Sequence, residues 1–246
     1  MHRCFVSDDV KNSNEILVSG DEATHILKVL RFKEGDLFEV CDNTGYVGKA
    51  EITEIISKSS LKAKINSVEL SDKEPYANII VFQGLSKGTK MDLVIQKATE
   101  LGANEIIPVK MEYSVVKLND EAKKTERWQK IAFEAAKQCK RAKAPVVGQP
   151  VEFQKALDMM LKSDLAILPY EAQKEGSLKK ILCQNKNAKT ISYIIGPEGG
   201  FSPKEISLAD NKGILRVTLG KRILRTETAS ITMLSVLMYE LGEFDK

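Results

Sequence analysis

The sequence predicts a small β domain joined to a larger α/β domain that is built on a parallel sheet. Up to about Leu70, apolar and polar residues alternate with a period of two, which is typical of half-buried strands. The polar segment at 71–75 then interrupts this pattern as a linker would. After it, continuous apolar runs alternate with helical patterns, as in a parallel sheet covered on both faces. We therefore predict domains at 1–72 and 73–246.

The first domain is predicted to contain strands and one helix. Alternating stretches at 36–40, 46–52 and 61–66 predict half-buried strands. The segment Asp42-Asn43-Thr44-Gly45 predicts a hairpin turn between the first two of them, because it is composed of residues that favour turns. A helical pattern from about Asp21 to Leu30 precedes these strands.

The second domain is predicted to alternate strands with helices. Gly102 and Gly242 stand where helix C-caps belong, and Ser202 with Glu205 predicts a capping box. The predicted strands are 77–83, 105–109, 165–169, 190–195 and 214–219. The predicted helices are approximately 91–101, 120–140, 152–161, 177–182, 203–210 and 226–241.

The composition narrows the function classes. Of 246 residues, 43% are hydrophobic and 29% are charged, which is ordinary for a globular protein. No apolar run has the length of a membrane span and no signal-peptide core is visible, so we expect a cytoplasmic protein. The four cysteines form no CxxC pair and only two histidines occur, which argues against a disulfide framework, a metal site and a serine–histidine triad.

Two glycine-rich loops in the last quarter of the chain are the main functional signal. Each follows a predicted strand and leads into a helix: Gly196-Pro197-Glu198-Gly199-Gly200 and the loop beginning at Gly220. Glycines at such strand ends let a ligand approach the backbone closely, so the two loops predict one composite pocket. Neither GxxxxGK[ST] nor GxGxxG is present, which argues against a P-loop nucleotidase and a dinucleotide-binding domain. Each loop alone could also be a tight turn without a ligand.

Taken over the whole chain, these motifs resemble the SPOUT superfamily of S-adenosylmethionine-dependent RNA methyltransferases. More narrowly, they resemble its bacterial members that methylate N3 of a uridine in 16S ribosomal RNA. The resemblance rests on the two glycine loops, on residues 25–31 with Gly35-Asp36, on residues 90–102 and on residues 127–138. These segments occur in the family's order, and the resemblance covers essentially the full length.

This resemblance implies the finer architecture and the partners. It implies a SPOUT-type C-terminal domain tied in a deep trefoil knot, a small N-terminal PUA-like β-barrel that binds RNA, and a homodimer in which a second subunit completes the pocket. It also implies S-adenosylmethionine as the cofactor and small-subunit ribosomal RNA, within an assembled or assembling particle, as the substrate. The helix at 226–241 is expected to contribute to the dimer interface, although its apolar stripe could instead pack only within its own subunit. The stripe consists of Ile231, Leu234, Leu237, Met238 and Leu241.

The resemblance also assigns site residues. Three knot loops, at 168–171, 195–201 and 219–229, would hold the cofactor mainly through the main chain, with apolar side chains as walls. The expected cofactor-binding residues are Leu168, Pro169, Tyr170, Ile195, Gly196, Glu198, Gly199, Gly200, Leu219, Gly220, Ile223, Leu224 and Ala229. From their positive charge, and not from the resemblance, we also expect RNA phosphates to contact Arg3, Lys28 and Arg31 in the small domain and Lys140 and Arg141 in the large one.

Two residues are candidates for the chemistry. Methylation of uridine N3 removes a proton and leaves negative charge on the base, which a guanidinium would stabilise. Arg225 is the candidate for that positive group, although it could instead form a structural ion pair with Glu198 or Glu227. Glu198 is a candidate base, although it could instead fix its loop by accepting backbone N–H bonds.

Two other functions remain open at this point. One is a non-catalytic RNA-binding protein, against which the intact glycine loops argue. The other is a SPOUT methyltransferase that acts on transfer RNA or on a ribose 2′-hydroxyl, and the segment from His25 to Arg31 argues against it by resemblance only.

Overall fold

The computed structural model describes residues 1–116, 119–172 and 176–245. It divides into two compact units. The first comprises residues 1–74 together with 133–144, and the second comprises 75–132 together with the chain from 145 onward. The sequence predicts a single boundary between residues 72 and 73. It does not predict that residues 133–144 return to the first unit. Lys246, the last residue of the predicted second domain, lies outside the described residues.

The first unit contains a five-stranded sheet with the order β1–β3–β4–β5–β2. Its pairs are antiparallel except for β1 with β3. The predicted turn joins β3 to β4, and Asn43 and Gly45 have the positive φ angles (67° and 110°) that such a turn needs. The strands are β1 (Arg3–Phe5), β2 (Glu15–Ser19), β3 (Leu37–Cys41), β4 (Tyr46–Ser57) and β5 (Ser60–Leu70).

The helix predicted at 21–30 is present in two parts. The α-helix α1 (Gly20–Thr24) continues into a π-helical turn at His25–Val29. Ile26 is fully buried there, in a core cluster with Phe38 of β3 and Leu61 of β5. The turn is therefore fixed on its inner side, while Lys28 on the same turn is exposed.

The second unit is an α/β domain around a seven-stranded parallel sheet. Its order is β12–β10–β11–β6–β7–β8, and β9 also pairs with β7. The strands are β6 (Asn78–Gly84), β7 (Glu105–Lys110), β8 (Val146–Val147), β9 (Val151–Glu152), β10 (Leu165–Pro169), β11 (Thr190–Ile195) and β12 (Leu215–Val217). The helices are α2 (Lys90–Glu100), α3 (Glu121–Gln138), α4 (Phe153–Met160), α5 (Leu178–Gln184), α6 (Pro203–Asn211) and α7 (Thr226–Glu240). The residues of α3 from 133 onward belong to the first unit.

Helices cover both faces of this sheet, as the continuous apolar strands predict. Residues of α2, α3, α5 and α7 share one core cluster with side chains from one face, including the fully buried Tyr193. Residues of α4 and α6 share a second cluster with side chains from the other face. The capping box of Ser202 and Glu205 is present at the start of α6, which fixes where the chain turns from β11 into this helix.

Two details of α7 and α3 bear on the expectations from sequence. Leu234, Leu237 and Met238 of the predicted interface stripe are buried in the core of their own unit, so that stripe is not an exposed surface. Its apolar residues instead pack α7 against the sheet and α2. No helix among the described residues is long and apolar enough to cross a membrane, since the longest, α3, is rich in charged residues.

Candidate functional site

Three loops at the carboxyl edge of the parallel sheet surround one cavity of about 480 Å³. They follow β10, β11 and β12, and we call them the first, second and third loops (residues 169–171, 196–201 and 218–225). Because β10 pairs in parallel with both β11 and β12, the three strand ends lie side by side. Ligands of open α/β sheets bind at this edge.

Twelve of the thirteen predicted cofactor-binding residues line this cavity, and Leu168 does not. Successive side chains of a strand point to opposite faces, and Leu168 is fully buried in the cluster with α4 and α6. The structure therefore does not place the Leu168 side chain in the wall of this cavity. The lining residues among the predicted ones are Pro169, Tyr170, Ile195, Gly196, Glu198, Gly199, Gly200, Leu219, Gly220, Ile223, Leu224 and Ala229.

The second loop is a tight turn that lies directly on the end of β6. The Gly200 amide donates to the Pro197 carbonyl at 3.0 Å, and Gly200 has a φ of +70°. A Cβ on Gly84, the last residue of β6, would stand 2.5 Å from the Pro197 nitrogen. Gly84 is thus required for the close approach of β6 to this loop, and sequence reasoning missed it.

A buried hydrogen-bonded chain also reaches the second loop from behind the cavity. The Gln83 amide Nε2 donates to Thr226 Oγ1 at 2.8 Å, and the Thr226 hydroxyl donates to the Gly196 carbonyl at 2.6 Å. Gln83 and Thr226 are 143 positions apart in the sequence, so no local pattern relates them. Their only sequence signal is that each stands at an end of a predicted element.

The third loop presents cationic and apolar side chains. Gly220 has a φ of +107°, and its amide donates to Thr218 Oγ1 at 3.1 Å. Arg222, Ile223 and Arg225 line the cavity and are exposed. Arg225 is the N-cap residue of α7, and among the described residues it forms no salt bridge, neither with Glu198 nor with Glu227. The guanidinium therefore lies at a helix N-terminus that adds further positive potential to the cavity rim.

Glu198 is held by residues of another segment. Its Oε1 accepts from Lys90 Nζ at 2.9 Å and from the Lys87 amide at 3.0 Å. Partial burial raises the pKa of Glu198, but the hydrogen bonds from Lys90 and the backbone amides outweigh it, so the pKa is lowered overall. A carboxylate held in this way is a weak proton acceptor, and the geometry favours the loop-fixing role over the base.

The five predicted RNA-binding residues, all of which lie in the first compact unit, fall into two groups. Lys28 and Arg31 are exposed at the end of the π-helical turn. Arg3 and Arg141 are 7% and 3% exposed and are salt-bridged to Glu39 and Glu74, which leaves little of either guanidinium accessible to a phosphate. Lys140 belongs with these two residues, because it is half-buried and its Nζ lies 3.2 Å from Glu39 Oε2.

These pairs have a structural consequence. The Arg3 guanidinium also donates to the Lys140 carbonyl, and Glu74 accepts from the Ala142 amide at 2.8 Å. The cations therefore hold the segment that follows α3 within the first unit. Sequence cannot reveal this, because Glu39 and Glu74 are distant from their partners along the chain.

Several further residues line the cavity, and among them only Lys90 and Thr218 lie outside the three loops that the resemblance implies. Lys90, Pro197, Phe201, Thr218, Arg222 and Thr226 also line it, as does Glu171. Most of them directly flank a predicted loop residue, whereas Lys90 comes from α2. No group of three or more metal-ligating side chains lies together in the part of the chain that the structure describes.

Comparison with known proteins places this geometry in a family. A family model described as an RNA methyltransferase domain matches residues 72–238, and a model described as an RNA methyltransferase PUA domain matches residues 18–66. The glycine loops lie within the first match, and the exposed Lys28 and Arg31 lie within the second.

Individual relatives match along nearly the whole chain. The ribosomal RNA small subunit methyltransferase E of Bacillus subtilis is 34% identical, over 98% of this chain and 97% of its own length. A putative methyltransferase of Legionella pneumophila, solved with S-adenosylmethionine bound, is 32% identical, with a TM-score of 0.88 and 96% of each chain covered. The ribosomal RNA small subunit methyltransferase E of Neisseria gonorrhoeae, also bound to S-adenosylmethionine, is 31% identical, with a TM-score of 0.86 and 97% of each chain covered.

Proposed function

The chain belongs to the RNA methyltransferase family, and from this premise we propose that it transfers a methyl group from S-adenosylmethionine to N3 of a specific uridine in the 16S RNA of the small ribosomal subunit. The observation that carries the proposal is the cavity at the three sheet-edge loops. Two relatives named ribosomal RNA small subunit methyltransferase E match this chain along nearly the whole of their own length. A cytoplasmic location follows from this substrate.

The residues of the cavity fit S-adenosylmethionine. Its volume of about 480 Å³ lies within the range of small-molecule pockets. Ile195, Leu219 and Leu224 supply apolar walls for an adenine ring, while the glycines expose backbone N–H and C=O groups that can read its polar edge. When bound, the sulfonium supplies an electrophilic methyl group. The chain's own contribution is then to align the acceptor nitrogen with that methyl group and to exclude other acceptors.

Arg225 is our candidate for stabilising the uridine anion. The loss of the N3 proton leaves charge on the ring carbonyl oxygens, and a preorganised guanidinium stabilises such charge most where it has no competing partner. Arg225 lines the cavity without a salt bridge among the described residues, and it occupies the N-cap position of α7. Glu198 would then hold the second loop through Lys90 rather than accept the proton.

Lys28 and Arg31 are our candidates for positioning the RNA. Both are exposed: Lys28 lies on the π-helical turn of the first unit, whose inner side is fixed by Ile26, and Arg31 lies just after it. Cations on a rigid surface position a nucleic acid through its phosphates and do not read its sequence. We interpret the first unit as a PUA-like barrel that supplies this surface.

The trefoil knot is part of the same proposal. β12 lies at the edge of the sheet beyond β10, yet α7, which follows it, begins beside the central strand β6, where Thr226 accepts from Gln83. The chain therefore returns from the sheet edge to its middle, next to the loop after β11. This return is the step that a knot at these loops requires.

The proposed homodimer has support near the cavity. Ile223 lines the cavity and is 84% exposed, so a second copy that covered the third loop would bury a large apolar side chain. We propose that a second copy covers the third loop in place of the buried stripe of α7. Light scattering should report a dimer for the wild type and a larger monomer fraction for Ile223→Asp, with Ile55→Asp, an exposed position on β4, as the matched control. A monomeric wild type at micromolar concentration would contradict this part of the proposal.

Mass spectrometry of ribosomal RNA tests the function itself. A strain lacking this protein should lose one N3-methyluridine from its small-subunit RNA, and the wild-type gene should restore it. Loss of a modified nucleoside from transfer RNA, or of a ribose methyl group, would instead support the alternative SPOUT functions. Unchanged RNA would favour a non-catalytic RNA-binding protein.

A further inference from the structure

Gln83 and Thr226 form a polar chain in an otherwise apolar place. Gln83 is fully buried and Thr226 is 6% exposed, next to a core cluster of apolar residues. The Gly196 carbonyl only accepts, so the single hydroxyl proton of Thr226 goes to it. The Thr226 oxygen then accepts from Gln83, whose amide also donates to the Gly84 carbonyl at 3.1 Å. The direction of every hydrogen bond in the chain is therefore determined.

The chain is held although one of its atoms lacks a partner. Gln83 Oε1 is buried and accepts no hydrogen bond from the described residues. An unpartnered buried acceptor is unfavourable, and an apolar side chain of similar size would avoid it. What glutamine offers at this position is therefore its two donated hydrogen bonds. They go to the Gly84 carbonyl and to the Thr226 hydroxyl, next to the cavity.

We propose that Gln83 and Thr226 are positioning residues of the methyl-donor site. This inference rests on the proposed function. Gly196 begins the second loop and Thr226 directly follows the third, and both line the cavity. One hydroxyl group therefore fixes the two loops relative to each other, and Gln83 anchors that hydroxyl to the central strand β6. Displacing either loop by about an ångström would move the groups that align the cofactor.

Substitutions of Thr226 test the proposal with a matched control. Thr226→Val keeps the shape and removes the hydroxyl, and Thr226→Ser keeps the hydroxyl. Thr99 is also fully buried, and its hydroxyl donates to the Ile95 carbonyl at 2.8 Å within α2. By calorimetry, Thr226→Val should weaken S-adenosylmethionine binding about tenfold or more. Thr99→Val should bind as the wild type does, even if it lowers the melting temperature. Thr226→Ser should recover most of the affinity that Thr226→Val loses, because it restores the hydroxyl.

The same variants separate failure of this proposal from failure of the proposed function. In the absence of cofactor, the NMR signals of the Gly199 and Gly200 amides should shift in Thr226→Val and stay in place in Thr99→Val. If the wild type does not bind S-adenosylmethionine, the proposed function fails, and the amide shifts still test the hydrogen-bonded chain. Unshifted amides in Thr226→Val, or equal weakening of binding by Thr226→Val and Thr99→Val, would overturn the positioning role.

Discussion

Gly84→Ala should disable cofactor binding in a protein that still folds. The added Cβ would stand 2.5 Å from the Pro197 nitrogen and 2.7 Å from Pro197 Cδ. Neither the backbone nor the proline ring can rotate away, so the second loop must move by about 0.9 Å to restore an ordinary contact of 3.4 Å. A misplacement of about 1 Å can reduce the activity of a site by about a hundredfold. We expect a dissociation constant for S-adenosylmethionine raised at least about tenfold, on the same reasoning.

The stability change should be moderate. Forcing one extra carbon into a packed place costs about 1–3 kcal/mol, which corresponds to about 2–4 °C in melting temperature for each kcal/mol in a chain of this size. Gly148→Ala is the control, because its Cβ would meet Ile107 Cγ1 at 3.4 Å, an ordinary contact in the same unit. Calorimetric titration and thermal melting of both variants provide the assay. Wild-type affinity in Gly84→Ala would refute the close apposition of β6 and the second loop, or its relevance to the pocket.

Three further predictions concern charge. Arg225→Ala should lower the single-turnover rate at saturating cofactor by about a hundredfold with little change in cofactor affinity, whereas a lower melting temperature with a near-normal rate would indicate a structural role. Lys28→Ala and Arg31→Ala should each flatten the dependence of log RNA affinity on log salt by about one unit or less, and unchanged slopes would place the RNA elsewhere. The pKa of His2 is lowered to about 4, because its ring is partly buried and faces His25 and two lysines. Stability should therefore fall as the pH decreases from about 6.5, the unfolded value, towards 4, and an NMR titration showing an ordinary pKa for His2 would contradict this packing.

The strands and loops that surround the cavity could be predicted because their signals are local. The apolar runs at β10 and β11 end at the predicted residues, and the glycines that follow mark the turns where backbone approaches a ligand. The position of Leu168 could not be predicted in the same way. Whether the Leu168 side chain faces the cavity or the helices α4 and α6 depends on the order of the strands in the sheet. That order is a property of the whole domain.

Charged and polar side chains were harder to place for a related reason. Arg3 and Lys28 both read as surface cations, yet only Arg3 has a carboxylate, Glu39, brought to it by strand pairing. Gln83 and Thr226 belong to strand and helix ends that meet only in the folded domain. Long-range pairs of this kind leave no trace in residue spacing, and they are what fixes the loops of the site.

The most direct test of the account is methyl transfer by the purified protein. Small ribosomal subunits or their 16S RNA from a strain lacking the protein would be incubated with S-adenosylmethionine carrying a trideuterated methyl group, and the nucleosides analysed by mass spectrometry. The account predicts that the label appears on N3 of one uridine, with a strongly reduced rate for Arg225→Ala. Label on a ribose, on another base or on no nucleoside at all would contradict it.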